Sequence, residues 1–124
     1  MNKGQNFKMI TIDGLEVKGH PLPKKRLLSA WNTLSNRPFP KVKAFQLNDA
    51  DFNQVMKTQR CLDNERIERQ EWGRILSMRG TDACVFNADP SDNVDYIILI
   101  RKNPYHDLGE ILEHELSHIA RGDL

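Results

Sequence analysis

The clearest helical pattern in the sequence lies in residues 107–124, DLGEILEHELSHIARGDL. Its apolar side chains recur at helical spacing and form one stripe. They are Leu108, Ile111, Leu112, Leu116 and Ile119. Asp107 stands at the expected N-cap, with Glu110 three residues later as in a capping box, and Gly122 follows as a helix stop. The pattern predicts a capped amphipathic helix that packs one side on a sheet and turns the other toward a cleft.

The polar side of this predicted helix carries an H-E-x-x-H pattern, formed by His114, Glu115 and His118. Positions four apart lie one turn apart on the same face, so both imidazoles can reach one metal ion. At ~100° per residue, Glu115 falls near the boundary with the apolar stripe, where a partly desolvated carboxylate suits a general base. The simpler alternative is two surface histidines on a helix.

Two zinc ligands and one base in this spacing are typical of a metallopeptidase. Neutral imidazoles would bind Zn²⁺ at ~2.0–2.1 Å and leave a further position to water. The ion would acidify that water and polarise a peptide carbonyl. Glu115 would accept the water proton and pass it to the leaving amine. We therefore expect zinc as cofactor and peptide-bond hydrolysis as function, with His114 and His118 as ligands and Glu115 as catalytic base.

The composition predicts an ordinary globular domain. A chain of 124 residues, 39% hydrophobic and 28% charged, fits one domain with a modest core. The formal charge of +1 gives no general attraction to nucleic acid or membrane, and no apolar run is long enough to cross a membrane. No signal-peptide pattern follows Met1. Since Cys61 and Cys84 are expected to be packed free thiols, we predict a cytoplasmic protein.

Upstream of residue 107, strand and helix patterns alternate, with Asp13-Gly14 as the turn of a first hairpin. The predicted strands cover residues 8–12, 15–18, 41–47, 83–87 and 95–101. A helix is predicted at 23–36, where Leu27, Leu28, Trp31 and Leu34 repeat at helical spacing. A short helix is predicted after 48–51, with Phe52, Val55 and Met56 inward, and another over residues 64–78 that ends near Gly80. Residues 19–23 are expected to form a loop. Residues 96–100, YIILI, are apolar without alternation and predict a strand buried on both faces. This order predicts an α+β fold with a mixed β-sheet packed against helices.

The ten residues 114–123, HELSHIARGD, resemble the active-site helix of the gluzincin metallopeptidases. Within them, they are most similar to the branch of the bacterial heat-shock membrane protease and the CAAX-prenyl protease. Small size, the lack of membrane helices and the order of elements are similar to the minigluzincins, which are soluble single-domain zincins. The resemblance implies one zincin-like metallopeptidase domain over residues 1–124.

The same resemblance assigns roles to residues outside the H-E-x-x-H pattern. Asp123 would orient a histidine ligand, as imidazoles at metal sites usually require. The strand around residues 85–88 would be an edge strand that pairs with an extended peptide substrate. This gives Phe86, Asn87 and Ala88 a predicted role in substrate binding.

The third zinc ligand of gluzincins, a glutamate on a later helix, has no counterpart before Leu124. Three explanations stay open: the sequence is part of a longer protein, Asp123 itself binds the metal, or the two histidines form a latent site. The alternative function is therefore a latent or non-catalytic zincin-fold protein with a regulatory or binding role. The expected partner is a peptide or protein substrate, with neither nucleic acid nor membrane.

Overall fold

The computed structural model describes residues 7–12, 14–58, 82–88 and 93–122. In chain order, the elements are β1 (Lys8–Ile12), β2 (Leu15–Pro21), α1 (Lys24–Leu34), β3 (Val42–Leu47), α2 (Asp49–Thr58), β4 (Ala83–Asn87), β5 (Tyr96–Arg101) and α3 (Leu108–Arg121). The strands form one five-stranded sheet of order β1-β2-β3-β5-β4, with parallel and antiparallel pairs. The predicted α+β class with a mixed sheet is confirmed. The helix predicted at residues 64–78 lies outside the described residues.

Strand β2 extends beyond its predicted end. The first hairpin is confirmed, since β1 and β2 pair in antiparallel register. β2 then continues through residues 19–21, predicted as a loop, because His20 and Pro21 pair with β3. Gly19 permits the close approach, since a Cβ atom there would lie 3.0 Å from the Cβ atom of Phe45. The loop prediction is therefore wrong for these residues, and a pairing between distant segments is the reason.

Strand β5 lies inside the sheet, parallel to β3 on one side and antiparallel to β4 on the other. Its side chains Ile97, Ile98, Leu99 and Ile100 are 0% exposed. The predicted burial on both faces is confirmed. Because successive side chains of a strand point to opposite faces, β5 contributes to two separate cores.

The two cores lie under different helices. The core under α2 includes Phe52, Val55, Met56, Ile97 and Leu99. The core under α1 and α3 includes Leu27, Ala30, Trp31, Ile98, Ile100, Ile111, Leu112 and Leu116. The predicted inward face of α2 is confirmed. On α1, however, Leu28 and Leu34 are exposed and Ala30 points inward, so that part of the predicted stripe is wrong.

Two observations bear on the predicted environment of the protein. Cys84 is fully buried in β4 and disulfide-bonded, so the prediction that it is a free thiol is wrong. The cytoplasmic location stays a prediction. In the described part of the chain, none of the helices combines the length and apolarity needed to cross a membrane.

Candidate metal and catalytic site

Helix α3 begins and ends where the sequence predicts. The Asp107 side chain accepts a hydrogen bond from the Glu110 backbone N–H at 3.3 Å and caps the N-terminus. At the other end, Gly122 adopts a φ of 68°, and its N–H bonds to the carbonyls of His118 and Ile119. Both ends of the helix are therefore fixed, which gives the side chains between them defined positions.

One side of α3 is held in the core, and its last turn is bonded to the segment after α1. Ile111, Leu112 and Leu116 are buried, and each such side chain contributes roughly 1.5–3 kcal/mol. The Arg37 guanidinium donates to the carbonyl of Ala120, where a cation also complements the helix dipole. These contacts leave the opposite side of α3 facing away from the core.

The two predicted zinc ligands meet on this opposite side. Nε2 of His114 and Nε2 of His118 lie 3.3 Å apart, with their rings nearly perpendicular at 89°. Two ligands ~2.0–2.1 Å from one tetrahedral zinc ion lie about 3.3–3.4 Å from each other. The His114 side chain is 67% exposed, so an ion from solvent can reach it. The pair therefore fits two corners of a zinc site.

Glu115, the predicted base, lies beside the pair but inside the protein. The residue is only 4% exposed, and its Oε2 lies 4.0 Å from Nε2 of His114. The helical spacing predicted a position at the edge of the apolar stripe, and the structure buries the carboxylate there. Helical geometry thus puts one carboxylate and two imidazoles together, with the acid desolvated and the imidazoles accessible. Such a carboxylate can exchange a proton with a water held at the imidazoles.

Arg121 contacts the predicted zinc ligand His118. Its Nη2 lies 3.4 Å from Nδ1 of His118, and its Nη1 donates to the Ser117 hydroxyl at 3.3 Å. A guanidinium only donates, so this contact favours the tautomer with the His118 proton on Nε2. Metal binding through Nε2 needs that proton on Nδ1 instead. Because the contact is long and Arg121 is exposed, displacing the guanidinium costs little.

A third ligand is not supplied by the residues that the structure describes. Among them, no group of three or more His, Cys, Asp or Glu side chains converges on a point where a metal ion could sit. Asp123, the predicted further residue at the metal, lies outside the described residues. The described chain therefore fits zinc with two imidazoles and leaves the rest of the coordination to other groups.

A third histidine, His106, is oriented by the Asp82 carboxylate, a pairing that the sequence did not indicate. Oδ2 of Asp82 lies 2.6 Å from Nδ1 of His106 and accepts the His106 backbone N–H at 3.0 Å, while Oδ1 accepts the Tyr105 N–H at 2.8 Å. The Asp82 side chain is 4% exposed and that of His106 is 59% exposed. Asp82 thus anchors the segment that leads into α3. No local motif links two residues 24 positions apart, so only tertiary structure could reveal the pair.

Strand β4, the predicted substrate-binding strand, is at the edge of the sheet among the described strands. The Ala88 N–H donates to the Asp95 carbonyl, and the Asp82 carbonyl accepts from the Arg101 N–H. The even-numbered residues of this strand therefore direct their backbone N–H and C=O groups toward β5. Those of Val85 and Asn87 face the opposite edge.

The three residues with a predicted substrate-binding role differ in their surroundings. The side chain of Phe86 is buried in the core under α2, Asn87 is exposed, and Ala88 is half-buried. Asn87 is the one of the three that combines an exposed side chain with outward-facing backbone groups.

Comparison of the chain with family models, with curated proteins and with solved structures finds no match.

Proposed function

We propose that this protein is a zinc-dependent metallopeptidase in which His114 and His118 bind the metal and Glu115 is the general base. The observation that carries the proposal is the 3.3 Å separation of the two Nε2 atoms, which equals the spacing of zinc ligands, beside a carboxylate 4.0 Å from His114. Two surface histidines without a function would need neither this separation nor an adjoining buried acid. A structural zinc site would likewise have no need of a base.

Each residue has one task in the proposed reaction. When bound, zinc supplies Lewis acidity, which activates a water and polarises the substrate carbonyl. His114 and His118 hold the ion on the exposed side of α3. Glu115 takes the proton from the attacking water and delivers it to the amine that leaves when the peptide C–N bond breaks. The burial of Glu115 keeps its carboxylate close to the reaction and limits competing bulk water.

A peptide substrate would bind by adding a strand to β4. The outward backbone groups of Val85 and Asn87 offer hydrogen bonds to an extended chain. The Val85 side chain lies in the same core as Leu112 and Leu116 of α3, so this edge and the histidine-bearing helix belong to one packed unit. The exposed Asn87 side chain is the proposed contact with the substrate side chains.

The remaining coordination is proposed to include Asp123, which directly follows the helix stop at Gly122. Its carboxylate would bind the metal or accept a hydrogen bond from the Nδ1–H of a ligand histidine. The second role would replace the Arg121 contact at His118 and favour the metal-binding tautomer.

The decisive experiment combines metal analysis with a peptidase assay on a broad peptide library. Glu115→Gln should retain zinc and lose cleavage by at least about a hundredfold, since general-base catalysis contributes that much or more. His118→Ala should lose both zinc and cleavage. Glu113→Gln is the matched control, because Glu113 is an exposed glutamate on the same helix. It should behave as wild type.

A latent or non-catalytic zincin-fold protein with a regulatory or binding role is the second candidate. It is favoured by the two-imidazole donor set, since the described residues provide no group of three donors. Zinc binding at micromolar metal without cleavage of any library peptide would select this candidate. Absence of zinc binding by the wild-type protein at that concentration would exclude both.

A further inference from the structure

A cavity of about 410 Å³ opens at the edge of α1, on a part of the protein that the proposed peptidase site does not use. Its lining comes from β1, β2, α1, β3 and the residues between β4 and β5, and includes no residue of α3. Sites for small molecules in proteins typically have volumes of ~300–1,000 Å³. The cavity is therefore large enough for a compact organic ligand.

The cavity exists because β2 separates from β3. Their pairing ends at Pro21, and the last bond joins the Leu22 N–H to the Ala44 carbonyl at 2.9 Å. The chain then turns away into α1. Because backbone groups alternate in direction along a strand, the N–H and C=O of Val42 point to the same side of β3 as those of Ala44. The Val42 groups therefore face the opening. The sheet edge thus supplies polar groups at the bottom of a space with apolar walls.

The walls combine half-buried and buried apolar side chains. Leu22, Leu27, Phe39 and Val94 are among the lining residues. The Phe39 ring is held edge-on against Trp31, with ring centroids 6.3 Å apart and an interplanar angle of 82°. The apolar part of the site therefore rests on the α1 core.

The rim of the cavity is basic. Four lysines, Lys8, Lys24, Lys41 and Lys43, line it, and none of its described lining residues is acidic. All four lysines are exposed and belong to the lining, which places positive charge around the cavity. This local excess contrasts with a chain whose formal charge is only +1. An anionic group would gain attraction from several lysines at once.

We propose that this lysine-rimmed cavity binds a small ligand made of one apolar body and one anionic group, such as an aromatic or aliphatic carboxylate, sulfonate or phosphate. The apolar body lies between Leu22, Leu27 and Phe39, and the anion lies among the lysines. A neutral apolar compound would leave the charged rim unused, and a free inorganic anion would leave the apolar walls unused. Only a ligand with both parts matches the site.

The test uses two fluorescent probes that differ in one charged group, 8-anilinonaphthalene-1-sulfonate and the neutral N-phenyl-1-naphthylamine. The sulfonate should bind the wild-type protein. The neutral dye should bind at least about fivefold more weakly, if each of two or more lysines contributes a few tenths of a kcal/mol to binding of the sulfonate. Amide shifts in NMR spectra on adding the sulfonate should centre on Leu22 and on residues 42–45 and 93–94. Equal affinity of the two dyes, or shifts spread over the whole chain, would overturn the proposal.

Matched charge variants distinguish attraction by the rim lysines from attraction by the overall charge of the protein. Lys41→Gln and Lys43→Gln should each weaken the sulfonate at least about twofold, whereas Lys102→Gln, which removes equal charge at the other end of β3 and outside the cavity lining, should change its affinity by less than about 1.3-fold. An equal loss in Lys102→Gln would contradict a local site. Leu22→Trp should reduce binding of both dyes by filling the cavity, with circular dichroism to verify folding. Unchanged binding in a folded Leu22→Trp protein would overturn the proposed location.

Discussion

The histidines before and within α3 differ in what orients their rings. His106 is held by a buried carboxylate at 2.6 Å, which defines its Nδ1 as the donor and leaves Nε2 toward solvent. The Nε2 atoms of His114 and His118 lie 3.3 Å apart, and Oε2 of Glu115 lies 4.0 Å from Nε2 of His114. The first arrangement joins a histidine to a carboxylate, whereas the second places two imidazoles at the spacing of zinc ligands.

This difference separates a histidine anchored by a carboxylate from the pair for which metal binding is proposed. The Asp82–His106 pair ties the segment before α3 to the start of β4 and so contributes to folding stability. The exposed His114–His118 pair contributes little to folding by itself and has the spacing of a zinc site. Four measurements test this distinction.

Removal of the buried carboxylate should have the largest effect on stability. Asp82→Ala leaves the Tyr105 and His106 N–H groups without their acceptor, and we expect a loss of about 3 kcal/mol in the free energy of unfolding. Urea denaturation followed by circular dichroism would measure it. Asp107→Ala is the control, because loss of that exposed N-cap should cost only about 1 kcal/mol. A smaller loss for Asp82→Ala than for Asp107→Ala would show that His106 is not anchored in this way.

Zinc should stabilise the protein through the α3 pair alone. At a free zinc concentration one hundred times the dissociation constant, the wild-type protein should gain about 2.7 kcal/mol, visible as a raised melting temperature. His118→Ala should abolish this gain, whereas His106→Ala should retain it. The separation between structural and metal-binding histidines fails if His106→Ala removes the zinc effect.

In the absence of metal, His106→Ala should lower the free energy of unfolding more than His114→Ala. His106→Ala deletes a charge-assisted bond to Asp82 and should lower the unfolding free energy by about 1–2 kcal/mol. His114→Ala removes an exposed side chain and should change it by less than about 0.5 kcal/mol. Both values come from denaturation in the presence of a chelator. Similar losses in the two variants would mean that the α3 pair also has a structural role.

The Arg121 contact predicts the smallest effect. Arg121→Ala removes a nearby positive charge and the contact that favours the unsuitable His118 tautomer, so zinc affinity should rise roughly threefold, or ~0.6 kcal/mol. Competition with a chromophoric chelator can resolve such a change. Arg26→Ala, on exposed α1 surface, is the control and should leave zinc affinity unchanged. Weaker zinc binding after Arg121→Ala would mean that the guanidinium supports the site instead of competing with it.

Local patterns predicted most of the described elements but failed where distant segments meet. Apolar spacing identified α2, α3 and the buried strand β5, because burial of one face or of both leaves a direct trace in composition. The same reasoning put Leu28 and Leu34 of α1 in the core, although the position of α1 against α3 and the sheet leaves both exposed. The extension of β2 through Pro21 was not predicted, because its backbone pairs with β3, which lies far away in sequence.

The candidate site divides in the same way. The spacing of His114, Glu115 and His118 was readable because helical geometry alone brings residues three and four apart onto neighbouring positions. The burial of Glu115 depends on how α3 sits on the sheet. The pairing of Asp82 with His106 depends on the ends of β4 and β5 meeting beside α3, and no sequence interval encodes that contact.

Patterns in the amino-acid sequence were sufficient to predict the α+β class, the limits of α3 and the juxtaposition of two imidazoles with one carboxylate. These follow from short-range backbone geometry, which acts within a few residues. Three further features became visible in the folded structure: Glu115 is buried while His114 is exposed, Asp82 anchors His106, and β2 separates from β3 beside a lysine-rimmed cavity. Those features arise from packing between segments far apart in the chain. Residues distant in sequence form the surroundings of each side chain there, and its neighbours in sequence do not specify them.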